Sequence, residues 1–361
     1  MENLIFSLNA TAPIFALMVL GYLFRRIGLI DEKAANWMNK FVFTVALPVL
    51  VFKDLASQDF AGTWNTKFVL FCFLVTSLSI ALIALLSKLV VKDLAKRGEF
   101  IQASYRSSAA LLGIAFIHNI YGDAASGMGP LMILGSVPLY NIFAVIVLML
   151  TAGAKEEQPA ARTQAELQTA QQMQGSDQTS ARTQAQNGTQ QVPQQDGAMA
   201  QDHRALLMKT LRGIITNPII LGIVIGLVWS LLRIPQPKIF QTIVSNVSAL
   251  ATPLGLMSMG ATFEFKKAAQ DIKPALIAAF IKLFALAAIF LPIAVALGFA
   301  GEQIVAILVM LGSATTVSCY IMAKSMGHEG TLSSSVIMLT TFGCSFSLTL
   351  WLFVLRSLGV I

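Results

Sequence analysis

Charge is scarce in this sequence. Lys, Arg, Asp and Glu make up 12% of 361 residues, and 56% of the chain is hydrophobic; an ordinary soluble domain carries ~25% charge. That balance excludes a water-soluble globular fold. Cysteine is rarer still: Cys72, Cys319 and Cys344 each lie inside an apolar run and share no ligand spacing. A disulfide framework and a thiolate metal site are thereby excluded, and the three read as small apolar residues. The three histidines form no HExxH and no Ser–His pair, and no apolar run holds a pair of aspartates. An intramembrane hydrolase would need one of these, so no enzyme is expected. Acidic residues are missing from the middle of the apolar runs, with Asp123, Glu264 and Glu302 at ends. No buried carboxylate for a proton or sodium relay is expected, and no cofactor. Residues 1–9 lack a basic region, which argues against a cleavable signal.

What the chain does have is length in its apolar runs. Mean hydropathy is +0.72, and a spanning helix needs roughly 20 mostly apolar residues. Ten windows qualify: 12–28, 36–56, 67–91, 103–121, 127–152, 213–232, 239–263, 273–299, 302–325 and 331–357. The net charge of +7 would suit nucleic acid, but its distribution does not. With the N-terminus outside, 19 of the 25 Lys and Arg fall in inner loops, Arg106 counted among them, and five outside. Short basic loops stay cytoplasmic, so both termini are expected to face outward across the cell membrane, with lipid rather than nucleic acid as the surrounding partner.

The ten windows divide into two halves. Pro13 and Pro218, Gly21 and Gly226, Pro48 and Pro253, and Gly122 and Gly327 are each 205 residues apart on one ungapped offset. The repeat unit holds five spans, and an odd number turns the second copy upside down. The expected domains are a first repeat over 1–152, a linker over 153–212 and a second repeat over 213–361. Within 155–204, fourteen of fifty residues are Gln and the large aliphatics are Leu167 and Val192. Such a tract cannot bury enough apolar surface to offset ordering entropy, so a disordered cytoplasmic linker is expected. Inverted repeats are the architecture of secondary transporters, with the site at the repeat interface.

Two stretches stand apart from the rest. Arg106–Gly122 is interrupted by Ser107, Ser108 and Gly113, and Gly312–Gly327 by Ser313, Thr315, Thr316 and Ser318. Hydroxyls can satisfy backbone groups freed where a helix breaks, and small residues let backbones approach. The same composition also fits buried helices packed through small-residue faces. Pro48 and Pro253 bend their spans. Lys282 lies within a span, where a lysine costs ~2.5–3.5 kcal/mol even on the lower scales. It is either a snorkelling side chain or a counter-charge; with His118 and Asn119 it is a candidate for a charge or proton role.

ALPVLVF near Pro48, LLGIAFIHNIYG at 111–122, NPIILGIVIGLVW at 217–229, ATPLGLMSMGATF at 251–263 and YIMAKSMG at 320–327 together resemble the auxin efflux carrier family. That family includes plant auxin exporters and bacterial permeases assigned to malate or malonate. The resemblance implies ten helices, a scaffold and a transport domain in each protomer, a homodimer, and fourth and ninth helices unwound where they cross over a bound carboxylate. It departs from the family where Ser108 replaces an asparagine and Ala115 a proline. Prolines common in the ninth helix around 314–319 are also absent, with Cys319 at the end of that run. Tyr140 and Asn141 fall where the fifth helix of the plant proteins presents an aromatic residue.

The expected protein is thus an all-α polytopic membrane protein. Its ten helices form two inverted five-helix repeats, with broken crossover helices 4 and 9. It would move a small carboxylate by alternating access. Ser107, Ser108, Gly113, Tyr140, Asn141, Ser313, Thr315, Thr316 and Ser318 form the binding set, and Pro48, Pro253, Ala115 and Cys319 the bends. A sodium-coupled bile-acid-type carrier would need acidic and amide ligands at the crossover, and none is present there. A membrane sensor using the 153–212 loop would signal without flux.

Overall fold

The computed structural model describes residues 2–56, 64–109, 114–121, 127–152 and 216–361. The linker expectation for 153–212 and the position of Gly113 therefore lie outside the described residues. Within them the chain is helical, with no strand. In order the helices are α1 (Glu2–Arg26), α2 (Glu32–Ala56), α3 (Thr66–Val90), α4 (Leu94–Tyr105), α5 (Ile114–Tyr121) and α6 (Met128–Ala152). There follow α7 (Pro218–Leu231), α8 (Lys238–Ala261), α9 (Phe265–Gln270), α10 (Ile272–Ala296), α11 (Glu302–Gly312), α12 (Ser318–Ser325) and α13 (Thr331–Ser357). Six of the described helices, α2, α3, α6, α8, α10 and α13, are long and apolar enough to cross a membrane; α7 and α11 are shorter apolar helices. The chain is an integral membrane protein.

Local chemistry sets the starts. Asp31, Asn65, Asp93 and Asn217 cap α2, α3, α4 and α7, each side chain accepting from a main-chain N–H in the first turn. Asn217 is followed by Pro218 at the first helical position, where a missing N–H costs nothing. On α3 the two faces differ by position rather than polarity. Phe68, Phe71, Cys72, Val75 and Ser79 are buried, while Leu70, Phe73, Leu74, Leu78 and Leu85 stand exposed. An apolar face without protein cover is what a helix bordering lipid presents.

Close packing uses glycine where backbones meet. A Cβ on Gly21 would strike the Met257 carbonyl, and one on Gly226 would lie 3.0 Å from the Phe52 carbonyl. Gly21 and Gly226 are 205 residues apart, and so are Phe52 and Met257. The same offset found in the sequence thus recurs in which helices touch: α1 against α8, and α2 against α7.

Two long helices widen into single π-helical turns. The turn at Val42–Ala46 lies just ahead of Pro48 in α2, and the turn at Ile281–Ala285 carries Lys282 in α10. Such turns release main-chain carbonyls from the regular ladder. Trp351 Nε1 of α13 donates to one in the second turn, Leu283 O, at 3.1 Å.

Candidate functional site

Among the described residues α4 and α11 each end in extended backbone, and these two breaks lie against each other. α4 stops at Tyr105 and Arg106 turns extended (φ −68°, ψ 132°). α11 stops at Gly312 and Ser313 turns extended (φ −78°, ψ 167°). Between them Ser108 N donates to Ala314 O at 2.9 Å, a direct main-chain bond from one break to the other.

Each break frees groups that a continuous helix would pair with residues four apart. Ala103 O, the helical partner of Ser107 N, instead accepts from Thr315 Oγ1 at 2.8 Å. Thr315 N, the helical partner of Leu311 O, donates to Thr340 Oγ1 of α13 at 3.0 Å. Leu311 O accepts from Lys282 Nζ at 2.7 Å. Gln102 Nε2 donates to Cys319 O at 2.9 Å. Every one of these bonds is buried, where an unmade bond costs ~1–3 kcal/mol. Side chains of Thr, Gln and Lys therefore hold the breaks open without proline.

A cavity of about 160 Å³ opens against this crossover. Its wall includes Arg106, Ser107, Ser108, Tyr140, Asn141, Thr315, Thr316 and Ser318, with apolar cover from Ile14, Leu47, Leu50, Val51 and Ile219. Seven of the nine expected binding residues are thus brought together; Gly113 lies outside the described residues. Ser313 is fully buried, does not line the cavity, and its hydroxyl finds no partner among the described residues. Pro48 and Pro253 stand one position from the lining residues Leu47 and Thr252. Cys319 is sealed behind the wall, its thiol 3.7 Å from Gln102 O. His118 is exposed and away from the cavity. Ala115 and Asn119 belong to α5, but their side chains lie outside the described residues.

Arg106 is the residue the sequence reading misplaced. Counted there with the inner-loop cations, it is 3% exposed and forms part of the cavity wall. Its guanidinium donates to Asn141 Oδ1 at 2.8 Å and Ser318 Oγ at 2.9 Å, and sits 2.8 Å from the Met322 sulfur. Its Nε finds no partner among the described residues. The reason for the misplacement is α4 itself. The helix starts at Leu94, not near 103, and its polar residues Glu99 and Gln102 are buried at 2% and 0%. Glu99 accepts from Gly330 N and Ser333 N at 2.9 Å each, at the start of α13, where a helix N-terminus favours a carboxylate. Hydropathy hides such a segment because its polar groups are paired inside the protein. The hydroxyl run Ser107–Ser108 right after Arg106 was the available signal.

No buried carboxylate was expected, yet Glu99 of α4 is buried at 2% exposure. Besides Glu99, Asp54 of α2 is half-buried and lines the cavity. Asp54 follows Leu47 and Val51 at helical spacing (i, i+4, i+7), which puts all three on one face. Lys282 does not snorkel: it is 0% exposed, and both its acceptors are main-chain carbonyls of α11, Leu311 O and, at 3.2 Å, Met310 O.

Tyr140 links the two regions. Its hydroxyl donates to Met310 O at 3.1 Å and lies 3.3 Å from Ser107 Oγ. Its main-chain carbonyl accepts from Tyr105 at 3.2 Å.

The family model described as membrane transport protein matches residues 6–352. A protein of Methanothermobacter thermautotrophicus called an uncharacterized transporter is 25% identical over 118 residues, 32% of this chain and 39% of that protein. The chain thus aligns with less than half of that relative's length. A family match spanning both broken helices and nearly all the rest places the chain in the membrane transport protein family, that of the auxin efflux carriers.

Proposed function

We propose that this protein is a secondary carrier that moves a small carboxylate across the cell membrane by alternating access, with its binding site at the crossover of the two broken helices. The observation that carries the reading is Arg106. Burying a cation costs several kcal/mol unless it is paired, and Arg106 meets neutral partners, Asn141, Ser318 and Met322, on the wall of a cavity. A substrate carboxylate supplies the missing charge, with the Nε proton as one of its donors. Arg presents a planar fork suited to two carboxylate oxygens.

The surrounding hydroxyls fit the same role. Ser318 and Thr316 lie 3.1 Å apart at the start of α12, and Ser107 Oγ lies 3.3 Å from the Tyr140 hydroxyl on the cavity wall. The repeated offset of 205 residues supports ten spans in two inverted halves, which gives the crossover two mirrored ways to open. Basic inner loops support outward termini. A homodimer follows from the family resemblance alone.

Uptake and counterflow in proteoliposomes test the proposal, using a panel of mono- and dicarboxylates with and without pH and sodium gradients. Flux of at least one carboxylate down its own gradient, without sodium, is expected. No flux for any acid in the panel would count against the reading. Strict sodium dependence would move the protein to the bile-acid-type alternative. The proton arm reads the part played by Asp54.

A further inference from the structure

We propose that Lys282 is a tethered cation that holds the break in α11, standing where a carrier coupled to a metal cation would place that ion. The inference rests on the crossover being the substrate site. Lys282 is a positioning residue: it lies outside the cavity wall and acts through α11 and Tyr140.

The end of α11 leaves carbonyls without N–H partners, and the helix dipole concentrates negative potential there. Thr315 N, which would otherwise close the bond to Leu311 O, is held by Thr340. Lys282 Nζ fills the opening, 2.7 Å from Leu311 O and 3.2 Å from Met310 O. An amine held by two carbonyl oxygens at a helix C-terminus uses the kind of ligand that binds a sodium ion, with the charge fixed to the chain. Lys282 belongs to the π-helical turn Ile281–Ala285 of α10.

The charge also reaches the cavity by a short path. Met310 O accepts both Lys282 Nζ and Tyr140 Oη, and Tyr140 Oη lies beside Ser107 Oγ on the cavity wall. Loss of the ammonium would leave Met310 O to Tyr140 alone and Leu311 O without its donor. The break would loosen on the side away from the substrate.

Truncation makes the inference testable, because it leaves an amine-sized space lined by carbonyl oxygens. Lys282→Ala and Lys282→Met are compared with the natural protein by thermal unfolding in sodium, choline and propylammonium chlorides at equal ionic strength, and by carboxylate flux. Lys282→Ala is expected to lose stability and about tenfold in flux, with propylammonium or sodium restoring both in part and choline restoring neither. Lys282→Met fills the space and is expected to lose flux without rescue. A Lys282→Ala defect that no small cation relieves, or Lys282→Met flux equal to the natural protein, would overturn the inference. If Lys282→Ala does not fold, Lys282→Gln keeps a donor without the charge, and full flux in that variant would equally overturn it. Absence of carboxylate flux in the natural protein would count against the proposed function, whereas the unfolding measurement still reads Lys282.

Discussion

Arg106 and Lys282 are the two Lys and Arg side chains that are buried among the described residues, at 3% and 0% exposure. Both touch a broken helix, yet their partners divide their tasks. Lys282 donates to two main-chain carbonyls of α11 and lies outside the cavity wall. Among the described residues Arg106 keeps an unpartnered Nε and forms part of the cavity wall, its Nη2 held by Asn141 and Ser318 and its Nη1 by the Met322 sulfur. A buried cation held by main-chain carbonyls away from the cavity serves the fold, and one held by side chains on the cavity wall serves a ligand. Residue type and depth alone cannot make that distinction; acceptor identity does.

Substitutions can break this division, beginning with the cation in the wall. Arg106→Gln should lower carboxylate affinity ~10- to 150-fold, the worth of ~1.5–3 kcal/mol for hydrogen bonds to a charged group. Substrate titration of the purified protein reads it, and unchanged affinity would remove Arg106 from the site. Asn141→Leu comes next. It deletes the acceptor that aims the guanidinium, so affinity should fall ~5- to 100-fold while the protein stays folded.

Thr315→Val sharpens the comparison from the structural side. It keeps the side chain's shape and deletes the bond to Ala103 O, which should cost ~1–3 kcal/mol of stability. A fall in unfolding temperature should accompany a smaller change in affinity. The reverse pattern would make Thr315 a ligand contact first. At the small end, Ser77→Ala should stay within ~0.5 kcal/mol with normal flux, because its exposed hydroxyl only bonds back to Phe73 O.

Much of the architecture was legible before any coordinates. The apolar windows at 36–56, 67–91 and 127–152 match α2, α3 and α6 to within a few residues at either end, because lipid-facing helices announce themselves by hydropathy. The breaks were legible from Ser107–Ser108 and Ser313–Thr316, since small hydroxylated residues in an apolar run have backbone groups to satisfy. The fate of the charges was not legible. Positive-inside counting assigns a basic residue to a loop by its neighbours, and α4 looked like a loop because Glu99 and Gln102 are polar. Their partners, Gly330, Ser333 and Cys319, are more than 200 residues away. Lys282 offered the same difficulty, because its acceptors exist only where α11 ends.

The most direct test of the central claim crosses the charge of Arg106 with the charge of the ligand. For an acid from the transported panel and its neutral primary amide, competition against substrate is measured in the natural protein and in Arg106→Gln. If the carboxylate sits against Arg106, the natural protein should prefer the acid by ~10-fold or more, and the preference should vanish in Arg106→Gln. An acid preference that survives the substitution would place the carboxylate elsewhere and contradict the account.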